Sequence, residues 1–223
     1  MAPMLRVPFT QVYVGGFLFL LFSMLFLFTA VPLLDRFLGV KLLVSIFFTA
    51  LLISGIYAVS ENKLSLVITL VVALLALAAR WFNYSVPSAS LEFMTNALGL
   101  IFSTYVAIVI LSRVFRETEV TADVIYGAIC VYLLMGVMWA SLYALLEGVQ
   151  PGSFRAEDVR PGDFIYYSFV TQTTLGYGDI SPLSRAARSF STLQAIVGQL
   201  YLAVLIARLV GIHIAQSLRG QSR

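Results

Sequence analysis

From Phe9 to Leu34 the sequence contains no charged residue. A helix needs about 20 apolar residues to cross the roughly 30 Å of bilayer hydrocarbon. Backbone groups left unpaired in lipid cost several kcal/mol each, so a run of this kind must be helical. Five similar runs follow, at about Phe37–Ser60, Leu64–Ala79, Leu91–Ser112, Val124–Leu146 and Ala186–Gly211. The pattern predicts an all-α membrane protein with six transmembrane helices, joined by short polar breaks that make most of them antiparallel neighbours. The third run is a little short, and its flank RWFNY supplies interfacial aromatics with Arg80 as an anchor. The first run is far longer than the apolar core of a cleaved signal, roughly 7–15 residues, and reads as a retained helix.

Composition excludes several function classes. Only 11% of the 223 residues are charged, against about 25% in soluble domains, and mean hydropathy is +0.95. The net charge of +3 is spread without a basic run, so no nucleic-acid partner is expected. Cys130 stands alone inside an apolar segment and reads as a small buried hydrophobe. His213 is the sole histidine. No cluster of His, Cys, Asp or Glu lies at membrane depth to run chemistry, so neither an enzyme nor a resident cofactor is expected.

One stretch breaks the pattern. Between the fifth and sixth runs, Glu147–Arg185 opens with the polar loop EGVQPGSFRAEDVRPGD and continues with FIYYSFVTQTT. The latter is apolar and aromatic but too short to span. It fits a re-entrant helix at 161–173, with Pro161 suited to its first turn and Asp163 favoured at its positive end. Next comes TTLGYGD. Irregular backbone at membrane depth is tolerated only where it lines a watery path or is buried in protein. Gly176 and Gly178 permit backbone angles that side chains disfavour, and alternating such angles points successive carbonyls the same way. Thr174 adds a carbonyl and a hydroxyl. Four copies around an axis would stack oxygen cages that replace a cation's water shell.

These residues resemble the pore loop of the potassium-channel superfamily, whose filter reads T-V-G-Y-G-D. Thr174, Gly176, Tyr177, Gly178 and Asp179 match, and Leu175 replaces the valine. The resemblance implies a selectivity filter at 174–178, binding K⁺ at Thr174, Leu175, Gly176 and Tyr177, with no other cofactor. It implies a tetrameric pore, so one loop per chain means a homotetramer in a lipid bilayer. Small bacterial members carry a tryptophan pair on the pore helix, where this chain has Tyr166 and Tyr167. By that analogy both form an aromatic cuff around Tyr177, and Tyr167 is placed to hydrogen-bond Asp179. Val170 stands where such channels often have a glutamate paired with the aspartate behind the filter.

The last run, VGQLYLAVLIARL, resembles the inner helix of bacterial calcium-gated potassium channels, with Gly198 at the hinge glycine; close helix packing is the other reading of Gly198. Gln199, Leu202, Ala203, Ile206 and Ala207 follow one helical face, which either lines the cavity or packs on the fifth helix. Arg208 falls near the membrane edge, where snorkelling is the ordinary role. On the fifth helix, Gly136, Ala140 and Ala144 form a stripe that admits close contact.

The expected organisation is a four-helix membrane domain at 1–117 and a pore domain at 118–223. The pore domain holds an outer helix at 124–146, the pore helix at 161–173, the filter at 174–178 and an inner helix at 186–211. Between Glu92 and Arg113 the fourth run has no Lys or Arg, so a voltage sensor in that helix is not expected. About a dozen residues follow the sixth run, which leaves no room there for a regulatory domain. The pore loop enters from outside in this superfamily, which implies cytoplasmic termini in a cell membrane, by resemblance a prokaryotic plasma membrane. The basic residues divide evenly between the two sides and leave that orientation to the resemblance. The expected function is passive, K⁺-selective conduction. The alternatives are a weakly selective cation channel, a coupled transporter (whose relatives carry four loops per chain), and a non-conducting partner subunit.

Overall fold

The computed structural model describes residues 16–34, 49, 63–86, 88–155 and 162–221. The expected second helix therefore lies outside the described residues, as does Pro161. The elements, in order, are α1 (Gly16–Leu34), α2 (Lys63–Ser85), α3 (Ala89–Arg116), α4 (Ala122–Val149), β1 (Phe154–Arg155), α5 (Asp163–Gln172), β2 (Ser181–Pro182) and α6 (Arg185–Gln221). Among the described residues three helices, α3, α4 and α6, are long and apolar enough to cross a membrane, and α2 holds a shorter apolar stretch, Val67–Asn83. RWFNY lies inside α2 rather than flanking it, because nothing in that stretch breaks a helix before Ser85.

Local chemistry sets the boundaries. Ser88 caps α3 by accepting from the Leu91 N–H, and Thr121 caps α4 by accepting from Val124. The link between them is only Glu117–Thr121, braced by Arg113–Asp123 at 3.6 Å. α3 and α4 pack on each other more extensively than any other described pair. Phe102, Val106, Ile110 and Val114 recur at helical spacing on α3 and meet Ala128, Val131 and Leu134 of α4. Phe17, Leu20 and Met24 of α1, Ala73 and Ala76 of α2, and Leu205 of α6 join the same core. The expected division at 117/118 thus falls in a short turn between two helices that share this core.

A second cluster holds the re-entrant helix. Trp139 and Tyr143 of α4, Phe154 of β1, Phe164 and Tyr167 of α5 and Ile180 pack together. Edge-to-face ring pairs of 5.1–5.4 Å join Tyr143, Phe154, Tyr167 and Phe164. Gly136 meets the Phe169 ring so closely that a Cβ there would stand 2.4 Å from it, so the small-residue stripe on α4 receives α5. The antiparallel pair β1–β2 sets Phe154 opposite Pro182 and Arg155 opposite Ser181, and ties the polar loop to the segment after the filter. Two-residue strands carry too little periodicity to read in sequence.

Arg208 does more than snorkel. Its Nη2 reaches the carbonyl oxygens of Val114, Phe115 and Glu117 at 3.3, 2.7 and 3.0 Å, and its guanidinium lies 4.7 Å from the Phe115 ring centroid. The last carbonyls of a helix lack internal partners and favour a cation, so Arg208 of α6 closes the end of α3. Arg208→Leu should lower stability in detergent by about 1.5–3 kcal/mol, the range for hydrogen bonds to charged groups. Arg208→Lys should recover part of the loss, and denaturation curves of the three proteins measure both.

Candidate pore loop and filter

α5 ends in a Schellman cap. The Thr174 N–H donates to Thr171 O at 3.0 Å and the Leu175 N–H to Val170 O at 2.9 Å. Thr173 also donates to Phe169 O at 3.0 Å, and Gly176 to Val170 O at 3.3 Å. Four successive donors are therefore spent on the helix's own carbonyls. The cap requires a left-handed residue at Thr174, whose φ is +59°. Glycine usually fills that place, and an L-residue there costs about 1–2 kcal/mol. Gly176 and Gly178 continue with φ of +59° and +81°. Every second residue from 174 to 178 is left-handed, an alternation the glycines suggested and Thr174 did not. The Thr174 hydroxyl donates to Thr173 O at 2.6 Å. Filter side chains are open in the single chain, with Leu175 55% and Tyr177 67% exposed.

The tyrosine pair divides its work. Tyr166 stacks on Tyr177, with ring centroids 6.5 Å apart and planes 7° apart. Its neighbour Asp179, acting first as an acceptor and, after a smaller effect of burial, through its charge, pushes its phenol up to about 12. Tyr167 does not join the cuff within the chain, nor does it bind Asp179. It is buried against Tyr143 and Phe154, and its hydroxyl lies 2.6 Å from Ser191 Oγ on α6. The physical reason is projection: neighbours on a helix point about 100° apart, so one tyrosine faces the filter and the other the core. Val170 is buried, and its carbonyl takes two of the filter's N–H groups.

On α6, Gly198 packs against the end of α5, where a Cβ would stand 2.9 Å from Gln172 O. Close packing is therefore a demonstrated role of this glycine, and α6 runs unbroken through it. Gln199, Ala203, Ile206 and Ala207 are exposed and Leu202 is half-buried. The packing of this face on α4 is overturned: Val197, Tyr201 and Leu205 turn to the core instead, and the Tyr201 hydroxyl donates to Ala128 O of α4 at 2.7 Å. The stripe expected to line a cavity is left uncovered by its own chain.

Residues 123–213, which hold α4, the loop and most of α6, match the family model described as ion channel. The chain is 28% identical over 162 residues to the voltage-gated potassium channel Kch of Escherichia coli (strain K12), covering 72% of this chain and 36% of that one. It is 38% identical over 82 residues to the two pore potassium channel c of Oryza sativa subsp. japonica, covering 35% and 16%. It is 34% identical over 77 residues to the inward rectifier potassium channel Kirbac3.1 of Paramagnetospirillum magnetotacticum, covering 33% and 24%. Over the matching segment the chain is similar to channels of the potassium-channel superfamily. The chain spans about a third or less of the length of these relatives. The channel family and the three long apolar helices together place it in a membrane.

Several groups that hold the channel domain together had a faint sequence signal. Gln172, Gln194 and Ser168 are polar residues inside apolar stretches, and each is fully buried. Polar side chains at membrane depth are costly unless paired, which is the signal that finds them. Their partners lie on other helices, which no local pattern names. The influence of Asp179 on Tyr166 is open to direct titration. Tyrosinate absorbance of wild type minus Tyr166→Phe should titrate near 12, and in the Asp179→Asn background the same difference should fall towards the ordinary value of 10. Removing the carboxylate removes both the acceptor that favours the neutral phenol and the charge that opposes the tyrosinate.

Proposed function

We propose that the chain is a K⁺-selective channel that conducts passively as a homotetramer, through a filter made by Thr174, Leu175, Gly176, Tyr177 and Gly178. The observation that carries this reading is the alternation of left-handed residues at 174, 176 and 178 beyond a cap that consumes the donors of 173–176. A backbone whose N–H groups at 173–176 are turned back leaves carbonyls to act as cation ligands, and four copies give the rings of oxygens that replace a hydration shell. A single loop per chain, with exposed Leu175 and Tyr177, asks for neighbours to complete the site. Tyr166, through Asp179 and Tyr177, braces the outer end of the filter; Tyr167 and Val170 hold the pore helix from the core side.

In the same reading, six helices cross the membrane, both termini are cytoplasmic, and the open face of α6 at Gln199, Leu202, Ala203, Ile206 and Ala207 lines the cavity. The carboxyl end of α5 lends that cavity a negative potential that favours a cation. Gly198 lets α6 approach the pore helix and is the proposed hinge. The channel relatives give no support to an enzyme, and K⁺ is the cargo rather than a cofactor. The first four helices lack the charges of a sensor in the fourth, so conductance should vary little with voltage.

Flux from liposomes tests the reading. Wild type should pass K⁺ well above Na⁺ and be blocked by Ba²⁺, and Gly178→Ala, which puts a side chain at φ +81°, should lose flux by at least about tenfold. Equal K⁺ and Na⁺ permeability would favour a weakly selective cation channel. A tetramer that passes neither ion, and whose melting temperature ignores K⁺, would favour a non-conducting subunit.

A further inference from the structure

Behind the filter lies a closed set of buried hydrogen bonds that joins three helices. Gln194 of α6 is fully buried, and its Nε2 donates to Ser168 Oγ at 2.7 Å and to Ser168 O at 3.0 Å, with Gln172 Oε1 at 3.3 Å. Its Oε1 accepts from the Tyr143 hydroxyl of α4 at 2.6 Å. Ser168 Oγ in turn donates to Gly136 O of α4 at 2.7 Å. Gln172, the last residue of α5, donates from Nε2 to Tyr132 O of α4 at 2.8 Å. Gly198, one turn beyond Gln194, rests on the Gln172 carbonyl.

Each amide atom of both glutamines thus has a partner, on an outer helix, an inner helix or the pore helix between them. A fully satisfied polar network in a low-dielectric site is rigid, and any member deleted alone leaves a buried group unpaired. Its position matters as much as its strength. Gln172 immediately precedes Thr173 and Thr174, where the chain turns left-handed into the filter. The place directly behind the filter is apolar at Val170, so no acid there pairs with Asp179.

We infer that Gln194 is a positioning residue for the filter: through Ser168 and Gln172 it locks the carboxyl end of the pore helix to the inner helix, and so sets how well the filter holds K⁺ over Na⁺. The inference rests on the channel reading above. A displaced α6 pulls on the amide pair, and the pair carries the displacement to Thr174. The amides therefore set both the filter's geometry and its response to inner-helix movement.

The test compares wild type, Gln194→Met, Gln172→Met, the double variant and Tyr201→Phe. Melting temperature is followed against K⁺, with Na⁺ keeping ionic strength constant, and K⁺/Na⁺ permeability is taken from reversal potentials in bilayers. Gln194→Met should raise the K⁺ concentration for half-maximal stabilisation about fivefold and lower the permeability ratio by a similar factor, as expected for one net hydrogen bond lost from positioning. The double variant should be little worse than the worse single one, since the two amides act as a unit. Tyr201→Phe breaks an α6–α4 bond away from the filter and should lower melting at every K⁺ concentration without moving the midpoint. If Gln194→Met does the same, with midpoint and permeability ratio unchanged, its role is structural only and the inference falls. Should Gln194→Met fail to fold, Tyr143→Phe removes only the hydroxyl on Gln194 Oε1. A midpoint shift of about twofold upholds the inference there, and an unmoved midpoint overturns it. A wild type indifferent to K⁺ in both assays sinks the channel reading itself, whatever the variants do.

Discussion

The turn at the carboxyl end of the pore helix governs the site. Thr173, Thr174, Leu175 and Gly176 all return their N–H groups to carbonyls at 169–171. A helix end normally leaves carbonyls without partners, and here the following strand of chain supplies the donors. The same bonds strip the following segment of donors. The same turn therefore both finishes a helix and begins the left-handed alternation that follows it. The cost is a threonine in a left-handed conformation, which the flanking hydrogen bonds to 170 and 171 hold.

Everything else positions that turn. Gly136 lets α4 receive the Phe169 ring, the aromatic cluster around Phe154 fills the space behind α5, and β1–β2 fastens the chain where it leaves the filter. Burial of apolar surface does little to drive helix association in lipid, so shape and hydrogen bonds carry more of the burden. That is consistent with a pore helix seated by one glycine, one serine, two glutamines and a tyrosine hydroxyl.

What the sequence reveals follows from how local each signal is. Long apolar runs identify helices at Ala89–Arg116, Ala122–Val149 and Arg185–Gln221; caps at Ser88 and Thr121 start the first two a couple of residues early, and the last runs ten residues beyond the expected 211 because its polar tail stays helical. The left-handed backbone at 176 and 178 is legible because Gly176 and Gly178 declare their freedom. Thr174 does not, since threonine seldom takes that conformation. Adjacent tyrosines look like one unit in a string of letters, yet helix projection sends Tyr166 to Tyr177 and Tyr167 to Ser191. The packing face of α6 is legible only as one of several stripes; the contacts of Val197, Tyr201 and Leu205 choose among them. Long-range pairs such as Arg208 with the end of α3, or Tyr143 with Gln194, have no local signature at all.

The short turn Glu117–Thr121 has a consequence for assembly. Even fully extended it reaches at most about 17 Å, and Arg113–Asp123 and Arg208 pin both sides of it. α3 accordingly leans on the α4 of its own chain. In a ring of such subunits no copy would lend its peripheral helices to a neighbour. In any such assembly each protomer would enter or leave with α3 still seated on its own α4, and a lesion at that contact would stay within the copy that carries it.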